Sequence, residues 1–167
     1  GAIDNTPLDF HSGKLADYTK EEEERSIAKL RNAREGLDDY GPDGLSGQEL
    51  LTWKIAAWFF DDQLRQAELR YSGYRVNQIS GVTVNMPQFL TDTHVIKNKK
   101  SVRRYLSRLA EFGRVLRETH ERVTDDRANG VIPPDFVIEK ALVGMNKFIE
   151  GGAAENPLVT TLEPKLE

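Results

Sequence analysis

The side chains best suited to chemistry in this 167-residue chain are three histidines, His11, His94 and His120, and a dense set of carboxylates. His120-Glu121 opens like H-E-x-x-H, the helix signature in which two imidazoles one turn apart hold zinc and the glutamate activates water. The second histidine would fall at position 124, where the chain has Thr124, so the signature is incomplete. His120 alone reads as a surface or interface side chain. His11 and His94 fall in irregular segments with no second histidine at ligand spacing. Glu21–Glu24 are four successive carboxylates, but on a helix they point in different directions and do not converge on one ion. There is no Gly-rich phosphate loop, no G-x-S-x-G elbow and no cysteine, which excludes thiolate zinc sites, cysteine nucleophiles and disulfides. No two carboxylates can be matched as an acid/base pair from sequence. The sequence therefore assigns no catalytic, cofactor-binding or metal-ligating residue and no cofactor within this chain.

Charge argues in the same direction. A net charge of −4 and a pI near 5.5 speak against a nucleic-acid partner, which requires a clustered basic surface. The densest basic run is Lys97, Lys99, Lys100, Arg103, Arg104 and Arg108. Helical spacing scatters these residues and no aromatics interleave with them, so the run reads as a solvated face. No stretch reaches the ~20 apolar residues of a membrane span. The opening Gly1-Ala2 lacks a start methionine and reads as a processed end, which predicts a leader before it and leaves room for more chain after Glu167.

The elements that must carry these residues are helices. Leu50–Phe60 (LLTWKIAAWFF) holds both tryptophans and continues without Gly or Pro to Gly73, predicting one helix over 47–72. Trp53, Ala57, Phe60, Leu64, Ala67 and Tyr71 form one face. Leu51, Ile55, Trp58 and Phe59 cover other faces, which predicts a central helix wrapped by neighbours on several sides. Before it, Thr19–Glu22 has capping-box form, and Ile27, Leu30, Ala33 or Arg34, Leu37 and Tyr40 supply a stripe that Gly41-Pro42 ends. Ser46–Glu49 reads as a second box. Two long helices joined by so short a link should lie antiparallel. Asp61 and Arg65, four apart, read as a surface ion pair.

Between Gly73 and Lys97 the helical period disappears. Tyr74, Val76 and Ile79, then Val82, Val84 and Met86, alternate around Ser80-Gly81, suggesting a small hairpin. Pro87–Thr93 would follow as one helical turn. Ser101 to about Ala128 reads as one long helix, with Val102, Tyr105, Leu106, Leu109, Phe112, Leu116 and Val123 on its buried face. Asn129-Gly130 closes it, and Pro133-Pro134-Asp135 opens a last helix that buries Phe136, Val137, Ala141, Leu142, Met145, Phe148 and Ile149. The expected fold is all-α: a bundle of four long helices with an extended insertion around 74–86. It consists of an irregular arm over 1–18, a helical domain over 19–152, and a tail over 153–167 that reads as a connection.

Four pieces in order carry a family resemblance. They are Asn77–Gly81 with Met86–Leu90, Tyr105–Leu109, Gly130–Glu139 and Asn156–Leu158. Across roughly residues 45–160 they resemble the N-terminal region of the bacterial domain-of-unknown-function family numbered 885. The resemblance implies a protein several times longer, similar to helical zinc metallopeptidases and in many cases an exported, periplasmic or outer-surface lipoprotein. Its zinc helix would lie downstream of the Asn-Pro-Leu segment, so zinc belongs to the longer parent, and no family ligand or catalytic glutamate matches a position here. The resemblance implies that this chain is a noncatalytic wall of a substrate cleft. Its partners would be the C-terminal half of the same protein and a peptide substrate, with Tyr74–Leu90 reaching the cleft or the seam. The competing expectation is a self-standing helical interaction module. A severed half should expose a large apolar patch. Val115, off the main stripe of the long helix, and the Tyr74–Met86 alternation are the sequence candidates for that patch.

Overall fold

The computed structural model describes residues 13–166, and the described fold is all-α, organised as two compact units. One unit, residues 19–73, is a helical hairpin of α1 (Lys20–Tyr40) and α2 (Gly47–Glu68). The Thr19 hydroxyl caps α1 by accepting from the Glu22 amide at 3.2 Å, beside three first-turn glutamates that suit the positive end of the helix dipole. Gly41, at φ 67°, ends α1 in a conformation that side chains disfavour. The Trp53 indole N–H donates to the Leu37 carbonyl at 3.1 Å, tying α2 to the end of α1.

The face predicted from Trp53 to Tyr71 is the covered one: Ala57 is buried, and Trp53, Phe60, Leu64, Ala67 and Tyr71 are partly buried. The wrapping of α2 on several sides is not found. Leu51, Ile55, Trp58 and Phe59 are exposed, Trp58 by 65%. The physical reason is that α2 packs in a hairpin, and one antiparallel neighbour covers one stripe of a helix. Two local expectations also change. Ser46 makes no side-chain cap bond, and Asp61 pairs with Arg34 of α1 at 2.7 Å where Arg65 was expected.

The other unit joins residues 13–18 to 74–166. Here the predicted hairpin is replaced by a turn and a helix. Asn77 Oδ1 accepts from the Ile79 and Ser80 amides at 2.9 and 2.7 Å, and a single bridge joins Val76 to Gly81. The second half of the expected hairpin is α3 (Val82–Gln88), continued by a π-helical turn over Phe89–Thr93. Val82 and Met86, four residues apart, are two steps of an alternating pattern but also one helical turn apart. Both are buried in a cluster with Val115.

The long helix expected over 101–128 is two, α4 (Lys99–Ala110) and α5 (Phe112–Ala128), parted at Glu111. Asn98 and Ser101 form a full capping box at the start of α4. Of the expected face Tyr105 is buried and Val102, Leu109 and Phe112 are partly buried, but the rest of the buried stripe is rotated from the one expected. Tyr105 and Arg108 of α4 and Val115, Thr119, Arg122 and Asp126 of α5 are buried, whereas Leu106, Leu116 and Val123 are exposed. Val115, expected as a patch residue, is fully buried. In α6 (Asp135–Ile149), Val137 and Ala141 are buried, but Phe136, Leu142 and Ile149 are exposed.

The tail is structured as well. After α6 come two one-turn helices, α7 (Gly152–Glu155) and α8 (Pro157–Thr160), and a 3₁₀ turn over Glu163–Lys165. Leu158 is buried with Leu90 and Tyr105. The Tyr105 hydroxyl donates to the Leu158 carbonyl at 2.6 Å. Among the described residues five helices have twelve or more residues, one more than expected because α4 and α5 are distinct.

Candidate functional site

The rotation of α5 brings polar side chains inward at one place. Arg122 and Asp126 stand one turn apart on its buried stripe, 3% and 4% exposed. The turn after Tyr74 directs Arg75 across to them, and Arg75 Nε donates to Asp126 Oδ2 at 2.7 Å. Gly81 makes this approach possible. Its φ of 101° suits glycine alone, and a Cβ there would collide with the Arg75 carbonyl oxygen. Asp126 Oδ1 is buried and has no hydrogen-bond partner among the described residues.

Two hollows flank this cluster and share Arg75 as a wall. The first, about 220 Å³, is nearly all apolar and lies between Tyr74–Val76, the end of α5 and α6, with Val123, Ile138 and Leu142 in its lining. Asp126 also lines it. The second, about 230 Å³, has a mixed lining, more apolar than polar, of Tyr18, Arg75, Gly81, Val82, Asn85, Thr119 and Arg122. The Thr119 hydroxyl donates to the Val115 carbonyl at 2.8 Å.

The histidines lie elsewhere. His120 is exposed on α5 and Thr124 Oγ1 donates to its carbonyl at 2.9 Å, so the incomplete zinc signature forms only a helix surface. His11 lies outside the described residues. His94 is buried between two fixed neighbours. Its Nε2 is 3.0 Å from the Ser101 carbonyl, which can only accept, and its Nδ1 is 2.6 Å from Arg108 Nη1, which can only donate. Those partners set the ring as a neutral Nε2–H tautomer. Its edge meets the Tyr105 ring at a centroid distance of 5.4 Å. Arg108, read from sequence as part of a solvated face, is therefore a core residue. Lys97, Lys99, Lys100 and Arg103 are exposed as expected. Glu22 and Glu23 of the acidic run are engaged locally, Glu22 with Arg25 and Lys29 and Glu23 with Arg70. Among the described residues no three His, Asp or Glu side chains are grouped to hold a metal, and no helix is long and apolar enough to cross a membrane.

The family whose model matches this chain is described as bacterial protein of unknown function (DUF885), and the match runs over residues 4–166. The chain belongs to this family. The match extends beyond the 45–160 covered by the motifs and takes in the α1–α2 hairpin and the segment after α8. No curated protein and no solved structure matches the chain. Membership supplies no activity, so the cluster around Arg75, Arg122 and Asp126 stands on its geometry. Sequence reading passed over it because it sought histidines and carboxylate pairs. The available signal was the 4-3-4 stepping of Val115, Thr119, Arg122 and Asp126, a helical face interrupted by charge.

Proposed function

We propose that this chain is the noncatalytic N-terminal helical part of an exported, periplasmic or outer-surface metallopeptidase-like protein, forming one wall of a substrate cleft and inactive alone. The observation that carries the reading is the amount of large apolar surface left outside on helices whose opposite stripes are packed. On α2 it comprises Leu51, Ile55, Trp58 and Phe59; on α5, Leu116 and Val123; on α6, Phe136, Leu142, Val143 and Ile149. Faces of this kind mark binding surfaces or surfaces meant for another part of the same assembly. The C-terminal half of the parent protein is the occupant that the metallopeptidase-like reading supplies, and zinc would be held there.

The same exposed faces also suit a second reading, a self-standing helical module that binds another protein. An immunoblot of the natural gene product in its source cells separates the two. A band several times heavier than 18.9 kDa supports the cleft-wall reading, and a band near that mass overturns it in favour of the module.

A further inference from the structure

We propose that the bare face of α2 binds a second copy of this chain, antiparallel, to form a symmetric dimer. The inference goes beyond the cleft-wall reading: it assigns the α2 face to another copy and leaves those of α5 and α6 to the parent's other half. Within its own unit α2 is covered on one side only. Among the described residues α1 buries none and α2 buries one, Ala57. Two paired helices are a single layer, and a hydrophobic core needs a second layer against it. The stripe opposite Trp53–Tyr71 has the spacing of a helix-pairing seam. Leu51, Ile55, Trp58, Asp62, Arg65 and Leu69 alternate steps of four and three, as residues do where two helices pack side by side. Leu51, Ile55, Trp58, Phe59 and Leu69 are exposed by 48% to 65%. Together they leave roughly 600 Å² of side chain uncovered, the two aromatic rings giving about half. Two such faces would bury about 1,200 Å², which reaches the size of a specific, stable interface.

Charge decides what the occupant is and how it lies. Lys54 is exposed and borders the stripe in its N-terminal half. Asp62 lies on the stripe in the C-terminal half, where Gln66 Nε2 donates to it at 2.6 Å. An antiparallel copy that packs Ile55 against the partner's Trp58 brings Lys54 beside the partner's Asp62, and the two-fold symmetry makes that contact twice. A parallel copy in register would set Asp62 against the partner's Asp62, a like-charge contact that opposes it. The face is therefore complementary to itself in one orientation, a property that a surface shaped for an unrelated partner does not need.

The test is sedimentation equilibrium of the whole chain and its variants, each checked for helix content by circular dichroism. The mass should rise from 18.9 kDa to twice that and stop there, with a dissociation constant below about 100 µM. Trp58→Glu, at an exposed position, should weaken the dimer by about tenfold or more. Lys54→Glu sets two carboxylates together and Asp62→Lys sets two amines together, and each should weaken it by about tenfold. A one-to-one mixture of those two variants should recover the loss, because the mixed pair has opposite charges at both contacts. This mixing arm keeps the test valid if the Trp58 variant does not fold. Leu142→Glu, on α6, should leave the dimer unchanged. A monomer up to about 200 µM, open-ended association, indifference to Trp58→Glu, or a mixture no tighter than its components overturns the proposal. These outcomes are independent of the gene product's mass. A light product with a dimeric chain ends the cleft-wall reading alone, and a heavy product with a monomeric chain ends this inference alone.

Discussion

At the scale of single residues, two buried polar contacts carry separable consequences. Asp126 accepts from Arg75 and is 4% exposed, so truncating it leaves a guanidinium facing a site that no longer holds its counter-charge. Asp126→Ala is expected to destabilise the fold by about 3 kcal/mol, read from chemical denaturation. A loss below about 0.5 kcal/mol would mean that water replaces the pair without cost. Tyr105 is pinned differently. Its hydroxyl donates to the Leu158 carbonyl, and burial raises its pKa above the ordinary value of about 10. The unfolded chain therefore loses this proton at lower pH than the folded one. Stability from this group is intact below about pH 10 and falls as pH rises through the folded value. Tyr105→Phe should cost about 1 kcal/mol at neutral pH and flatten that alkaline decline. Denaturation midpoints compared from pH 9 to 11.5 would show it, and parallel declines in both proteins would contradict it.

At the scale of elements, the turn before α3 depends on one position. Gly81 leaves the bridge to Val76 at a φ of 101°, and its carbonyl accepts from Val84 and Asn85 to begin α3. Gly81→Ala should cost about 2 kcal/mol through backbone strain and shift Arg75 away from Asp126. Hydrogen exchange of the α3 amides would register the change, and unaltered protection there would count against it. The same turn shows where sequence reading works and where it fails. The elements themselves were legible: the Thr19 cap, the Gly41 stop and the Trp53–Tyr71 face follow from local rules that need no tertiary context. The 82–86 alternation was not, because positions 82 and 86 satisfy a two-residue and a four-residue period equally. The facing of α5 was missed because its buried stripe carries arginine and aspartate, which any hydrophobicity pattern assigns to solvent. The Arg75 cluster was illegible for a related reason. Its members lie 51 residues apart in the chain, and only the fold brings them together.

At the scale of the whole molecule, the feature that matters is the imbalance between covered and uncovered apolar side chains. Among the described residues nine hydrophobic side chains are buried, whereas twenty large ones are exposed. Scattered exposed apolar residues are ordinary, but runs of them on one helix face are not. The isolated chain is therefore expected to bind a hydrophobic dye and to self-associate as concentration rises, both measurable together by fluorescence and gel filtration. Trp58→Glu, on the bare face of α2, should reduce dye binding while changing stability by less than about 0.5 kcal/mol. A dye-silent monomer would remove the physical basis of the cleft-wall reading.

The π turn over Phe89–Thr93 has a further consequence, for how the chain tolerates change in length. The His94 amide reaches back five residues to the Phe89 carbonyl at 3.0 Å, so the turn holds one residue more than an α-helical turn would. Deleting one of these five positions would restore a regular helix and turn everything after it by about 100°. His94 would then leave the space between Arg108 and Ser101. A chain one residue shorter at this turn would therefore have to hold α4 without the contact between His94 and Arg108.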